Sequence, residues 1–166
     1  METATRPYAF SRKVFCEGMR DGVPIALGYF AVSFSLGIAA RSAGLTPIQG
    51  FIASLFNNAS AGEYAAFSLI AAGATYVEVA IITLIANARY LLMSCALAQR
   101  FAPGTPFFHR LIIGYDVTDE LFGITIARPG CLNPFYTYGA ITLAAPAWAM
   151  GTALGIVAGN LLPLRA

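Results

Sequence analysis

Charged side chains are scarce in this chain, and their scarcity excludes most classes of soluble protein. Asp, Glu, Lys and Arg make up 11% of the 166 residues, whereas 58% are hydrophobic. An average soluble domain is about 25% charged, which is enough to cover its surface. The net charge is only +2 and the basic residues form no long run, which argues against a nucleic-acid partner. Most of the surface is expected to face lipid.

The chain also lacks the residue patterns that hold metals or support hydrolysis. Its three cysteines, Cys16, Cys95 and Cys131, are far apart, and no CxxC or Cys/His spacing occurs. That argues against a zinc site and against a disulfide framework. Neither HExxH nor Gly-x-Ser-x-Gly is present. We predict no cofactor, no metal and no enzymatic activity.

What the chain does have is a series of five apolar segments, separated by connectors that contain Pro, Gly and Arg. They cover residues 22–40, 48–72, 75–98, 107–127 and 138–162, and the second is interrupted at residues 57–63. The first, third and fifth are long enough to cross about 30 Å of hydrocarbon at about 1.5 Å per residue. This pattern predicts an all-α, polytopic integral membrane helical bundle, with residues 1–166 forming a single membrane domain.

The second segment decides the topology, because cytoplasmic loops carry an excess of Lys and Arg. If all five segments span, the basic residues divide five against four. If the second segment enters and leaves on one side, they divide seven against two. The cytoplasmic seven are then Arg6, Arg12, Lys13, Arg20, Arg100, Arg110 and Arg165. The better bias predicts a re-entrant second segment and a cytoplasmic N-terminus.

The interruption at residues 57–63 is the first of three polar clusters inside apolar segments. Asn and Gly are poor helix formers, and Asn58 or Ser60 could cap a new half-helix. Free backbone groups at membrane depth are tolerated only in protein or beside a wet cavity. A half-helix N-terminus suits a carboxylate, while loose carbonyls and Glu63 suit an ammonium. The alternative is a loop at the membrane surface that its own Asn and Ser side chains cap.

Asn87, Arg89 and Tyr90 form the second cluster, within the third segment. Glu78 lies eleven residues before Arg89, a spacing that would bring both to one face of a continuous helix. An ionisable residue inside the membrane usually faces a cavity or a partner. In the alternative interpretation, Arg89 extends to the membrane surface or pairs structurally with a distant carboxylate.

The third cluster consists of Asp116, Asp119 and Glu120 in the fourth segment. Their spacing would place them on one helical face. Carboxylates this close cannot all ionise cheaply in a poorly hydrated site, so one could carry a proton, with Arg89 as the compensating cation. A cluster in contact with cytoplasmic water is the alternative.

In the fifth segment, Gly151, Gly155 and Gly159 make a smooth helix face that predicts close helix packing.

Several stretches together resemble one known family. They are residues 22–29, 61–64, 86–94, 118–122 and 148–155, and they cover nearly the whole chain in order. The chain resembles the AzlC-type proteins, the larger subunit of bacterial branched-chain amino-acid exporters. The resemblance implies a plasma-membrane transporter with a small AzlD-type second subunit. Because such proteins usually continue through further apolar segments, the chain is expected to be truncated at its C-terminus.

These observations predict a proton-coupled exporter of branched-chain or other small apolar amino acids. The candidate substrate-binding residues are Asn57, Asn58, Ser60, Gly62, Glu63, Asn87 and Arg89. The candidate proton carriers are Asp119, Glu120 and Asp116. The alternative is a membrane scaffold or regulatory subunit that does not itself transport.

Overall fold

The computed structural model describes residues 8–161. Arg6, Arg165 and the last residue of the fifth segment, Leu162, lie outside the described residues. Within them the chain forms eight helices, which confirms the all-α prediction. They are α1 (Arg12–Ser42), α2 (Pro47–Phe56), α3 (Ser60–Ala71), α4 (Tyr76–Ala86), α5 (Arg89–Arg100), α6 (Phe107–Tyr115), α7 (Asp119–Ile126) and α8 (Pro134–Leu161).

The two longest helices, α1 and α8, are apolar enough to cross a membrane. The bent pair of α4 and α5 makes a third candidate span if the two helices are counted as one. These are the candidate spans found between residues 8 and 161, and they confirm a helical membrane protein. The re-entrant course of the second segment stays a prediction.

The second, third and fourth apolar segments are each divided into two helices. The chain breaks at residues 57–59, at residues 87–88 and at residues 116–118. Local chemistry explains where several of the pieces begin. Thr46 and Thr75 cap α2 and α4 in capping boxes. In each box the Thr hydroxyl accepts from the backbone N–H of the residue three positions later, and that residue's side chain accepts from the Thr backbone N–H. Thr118 caps α7 by accepting a hydrogen bond from the backbone N–H of Leu121, without a returning side chain.

The helix that follows the first break begins differently from the expectation. Neither Asn58 nor Ser60 caps α3, because the capping position is occupied by Ala59, which provides no side-chain hydrogen bond. The prediction that Asn58 or Ser60 caps this helix was therefore wrong, since the cap lies between them. The break itself lies within the predicted interruption.

The chain divides into two compact units. Within the described residues, the first unit comprises residues 8–25 and 89–143. Its apolar core is formed by Leu97, Phe101, Ile113, Val117 and Leu132. Gly18 and Gly139 bring the two long helices together here, because a Cβ at either position would meet a backbone carbonyl of the opposite helix.

The second unit comprises residues 26–88 and 144–161. Ala40, Phe67 and Ile156 form its buried cluster. The glycines predicted to pack all lie against α1, and they are Gly151 beside Ser33, Gly155 beside Phe34 and Gly159 beside Arg41. At Gly155 a Cβ would meet the backbone carbonyl of Phe34, so any side chain there would force the helices apart.

Candidate functional site

Two helix breaks meet within the second unit through an amide pair. Asn57 follows the end of α2, and Asn87 follows the end of α4. The side-chain Nδ2 of Asn87 donates a hydrogen bond to Oδ1 of Asn57 at 3.2 Å. Gly62, in the first turn of α3, makes this approach possible, because a Cβ there would collide with the Asn87 amide. The structure therefore brings together three of the predicted substrate-binding residues.

A cavity of about 770 Å³ opens beside this amide pair. Its apolar walls come from α2, α3 and α4, and the two asparagines lie among its lining residues. The full lining is Phe56, Asn57, Ala66, Ile70, Gly73, Ala74, Tyr76, Val79, Ala80, Thr83, Leu84 and Asn87. A site with mostly apolar walls and a few convergent polar groups is the usual form of a small-molecule pocket.

Two polar oxygens in the lining have spare hydrogen-bonding capacity. Thr83 Oγ1 and Asn87 Oδ1 are buried and have no hydrogen-bond partner among residues 8–161. Buried polar groups are normally paired, so such exceptions call for a physical reason. Sequence reasoning missed Thr83, although it lies four residues before Asn87 and so shares its helix face. Both oxygens can accept a hydrogen bond from a ligand.

Glu63 lies deeper than the sequence analysis expected, because its side chain is 1% exposed. The hydroxyl of Ser54 donates to Oε1, and the indole Nε1–H of Trp148 donates to Oε2 at 2.6 Å. Thr152 Oγ1 lies 3.4 Å from Oε1. All four residues belong to the second unit. Sequence reasoning missed Ser54, Trp148 and Thr152 as partners of this carboxyl.

The remaining predicted site residues of the second unit are Asn58 and Ser60. Asn58 is partly buried, whereas Ser60 is exposed at the first position of α3. Neither lines the cavity beside the amide pair.

Arg89 and the acidic cluster belong to the first unit, and two of the acids are exposed. Nη2 of Arg89 lies 2.8 Å from Oδ2 of Asp119, and these side chains are 48% and 43% exposed. Arg89 also donates to the hydroxyl of Tyr90 at 3.1 Å. Glu120 is exposed, while Asp116 is 8% exposed. The ion pair is formed as expected, but its place in transport stays a prediction.

Two expectations about helix faces were wrong, because both assumed continuous helices. Asp116 follows the end of α6, while Asp119 and Glu120 begin α7, so the three do not share one helical face. Glu78 and Arg89 likewise lie on different helices. Glu78 instead caps its own helix by accepting from the backbone N–H of Thr75 at 2.8 Å.

Together these features define a helical membrane protein in which polar residues gather at breaks within apolar segments. A family model described as AzlC protein matches residues 24–162, and the chain belongs to this family.

The matched relatives are membrane proteins as well. An uncharacterized membrane protein of Archaeoglobus fulgidus is 28% identical over 151 residues, covering 91% of this chain and 65% of the relative. The inner membrane protein YgaZ of Escherichia coli is 24% identical over 164 residues, covering 96% and 67%. An uncharacterized membrane protein of Helicobacter pylori is 23% identical over 151 residues, covering 89% and 65%. The chain thus spans about two thirds of the length of these relatives, and no solved structure matches it.

Proposed function

We propose that this protein exports branched-chain or other small apolar amino acids across the bacterial plasma membrane, in exchange for protons. Membership of the AzlC family supports a transport role, and the similarity to an inner membrane protein supports the location. In this proposal the N-terminus is cytoplasmic, and a small AzlD-type subunit completes the transporter in the lipid bilayer.

The observation that carries the proposal is the cavity beside the Asn57–Asn87 amide pair. Its apolar walls suit the side chain of Leu, Ile or Val. The acceptor oxygens of Thr83 and Asn87 suit the ammonium group, which has three donors and no acceptor. One end of the cavity would thus bind the charged part of the amino acid, and the walls would select an apolar side chain.

Three other predicted binding residues lie near the same break, whereas Arg89 belongs to the first unit. Asn58, Ser60 and Gly62 lie at the start of α3, where free backbone N–H groups favour a carboxylate. Arg89 would balance negative charge, and its ion pair with Asp119 supports that part. Asp116, Asp119 and Glu120 are the carriers that the sequence suggests for the coupled proton.

Leucine efflux from loaded vesicles tests this function. The purified protein is reconstituted alone and together with a small AzlD-type subunit, and release of labelled leucine is compared with release of labelled lysine. Asn87→Leu should abolish leucine release, because it removes both the amide pair and the spare acceptor. Asn160→Leu is the matched control, since that amide accepts from Arg41 at 3.0 Å and lies outside the cavity lining.

Leucine release that is unchanged in Asn87→Leu would contradict the proposed site. Absence of any amino-acid flux, with or without the second subunit, would favour the alternative of a membrane scaffold that does not transport.

A further inference from the structure

We propose that Glu63 reversibly binds a proton at Oε1, and that this proton, rather than one on the acids suggested by the sequence, is coupled to amino-acid transport. The second part rests on the proposed function, whereas the first part concerns the carboxyl alone and can be tested without any substrate.

The carboxyl of Glu63 is buried without a counter-ion from the part of the chain that the structure describes. Glu63 is 1% exposed, and two hydroxyls and one indole N–H contact its carboxyl. Among residues 8–161, the ion pairs involve Arg20, Arg89 and Arg128, and none reaches Glu63. A buried ionised carboxylate is far more costly than the neutral acid unless a cation pairs with it. Hydrogen-bond donors offset only part of that cost.

Within the described helices around Glu63, no second carboxyl or cation contacts its side chain. The helix α4 packs against α3 and carries Glu78, which accepts from the backbone N–H of Thr75, and Tyr76, which is 95% exposed. Neither α2 nor residues 144–161 of α8 contain a titratable side chain. Within α1, residues 26–42 contribute Tyr29, whose ring packs edge-on against Trp148, and Arg41, which donates to Asn160. The neighbouring titratable residue on α3 is Tyr64, which is 57% exposed. Glu63 is therefore the carboxyl that can take up a proton in this site.

The three partners differ in what they can do when the proton arrives. The indole N–H of Trp148 can only donate, so Oε2 must stay an acceptor. A hydroxyl can donate or accept, so Ser54 can donate to the carboxylate and accept from the acid. Thr152 lies 3.4 Å from both Oε1 and the backbone carbonyl of Trp148, which gives its hydroxyl a second acceptor. A proton on Oε1 therefore leaves the hydrogen bond from Trp148 to Oε2 intact.

The same turn of α3 connects this carboxyl to the proposed substrate site. Gly62 packs against the Asn87 amide, and the next residue is Glu63. A ligand bound to Oδ1 of Asn87 presses this amide against the turn, and it thereby alters the contacts of the carboxyl. In this way the occupancy of the cavity and the protonation of Glu63 influence each other.

Fluorescence tests the proton site directly, because the chain contains a single tryptophan and that residue donates to Glu63. Indole emission responds to the charge of a hydrogen-bonded neighbour. Between about pH 4 and pH 9, the emission of Trp148 should change in one protonation step in the unmodified protein. The step should vanish in Glu63→Gln, which keeps a carbonyl acceptor for the indole.

Two further variants make the result specific. Glu78→Gln is the matched control, because Gln also completes a capping box, and the fluorescence step should persist. Ser54→Ala should move the midpoint of the step while leaving the step in place. Circular dichroism establishes that each variant is helical, and Ser54→Ala decides the question if Glu63→Gln does not fold.

An emission spectrum that is independent of pH in the unmodified protein would overturn the proposal. A step that persists in Glu63→Gln, or a midpoint unmoved by Ser54→Ala, would overturn it as well.

The coupling part has its own readout. Adding leucine to the weakly buffered protein should change the bulk pH, as a dye reports, and Glu63→Gln should remove that change. If leucine binds with the same change in Glu63→Gln, the coupling role fails. If leucine does not bind to the unmodified protein, the proposed function fails while the fluorescence result still decides the proton site.

Discussion

Glu63 and Asp119 are both acidic residues in apolar segments, yet they occupy opposite environments. Glu63 is 1% exposed and has hydrogen-bond donors, and no cation between residues 8 and 161 pairs with it. Asp119 is 43% exposed and forms an ion pair with Arg89. Asp119 thus has a cation beside it, whereas the carboxyl of Glu63 is contacted by uncharged donors. The contrast teaches that an acid in an apolar segment is a proton-site candidate only where the fold also removes water and counter-ions.

The largest expected effect separates these two acids by stability. Glu63→Ala leaves the Ser54 hydroxyl and the Trp148 indole without their acceptor in a buried site. We expect the free energy of unfolding to fall by about 2–5 kcal/mol. Asp119→Ala removes a half-exposed ion pair and should lower it by less than about 1 kcal/mol. Chemical unfolding in detergent, monitored by circular dichroism, measures both free energies. Equal losses would contradict the proposed difference between the buried and the exposed acid.

The next effect compares two glycines of the same unit. Gly155→Ala places a methyl group against the Phe34 carbonyl, and we expect a loss of about 1–3 kcal/mol from overpacking. Gly28→Ala is the control, because nothing lies within 4 Å of its added Cβ. That substitution should stabilise the helix by about 0.5–1 kcal/mol. Thermal unfolding of the pair checks the sign, and a destabilised Gly28→Ala would contradict the account.

A smaller effect concerns the amide pair. Gly62→Ala brings a methyl group into the Asn87 amide, which is a side chain and can move aside. We expect little loss of stability but roughly ten-fold weaker leucine binding, which equals about 1.4 kcal/mol. Gly123→Ala, where the added Cβ has open space, should bind leucine normally. Equilibrium binding of labelled leucine measures both affinities. If they are identical, the amide pair does not contribute to leucine binding.

The smallest effect is the coupling between Arg89 and Asp119. A double-mutant cycle with Arg89→Gln and Asp119→Asn should give an interaction energy of about 0–1 kcal/mol, because both side chains are half-exposed. Raising the salt concentration should reduce it further. An interaction energy above about 2 kcal/mol would mean that this pair is desolvated in the membrane. That result would favour the acidic cluster as the carrier of the coupled proton.

Part of the fold could be predicted from the composition and from the local sequence. The small fraction of charged residues predicted a membrane protein, because lipid contact selects against charge along the whole chain. The Asn-Asn-Ala-Ser-Ala-Gly stretch predicted a break, since helix propensity is a property of neighbouring residues. Composition and helix propensity are properties of the residues themselves, so both predictions could be made without knowledge of the fold.

Long-range contacts were beyond the reach of such arguments. Glu63 and its partner Trp148 are 85 positions apart, and Asn57 and Asn87 are 30 apart. Helical periodicity gave the wrong prediction for Asp116 and Asp119, because Thr118 caps a new helix between them. The polar residues were identified from the sequence, but which of them are buried together depends on packing.

Flux driven by a pH gradient distinguishes Glu63 from Asp119 as the carrier of the coupled proton. Vesicles containing the unmodified protein, Glu63→Gln or Asp119→Asn are compared for leucine exchange without a gradient and for leucine accumulation with one. Because Glu63 does not line the cavity, we expect Glu63→Gln to exchange leucine. It should no longer respond to the gradient, because its neutral side chain cannot carry a proton. A full response to the gradient in Glu63→Gln, together with its loss in Asp119→Asn, would contradict the account and assign the proton to the exposed acidic cluster.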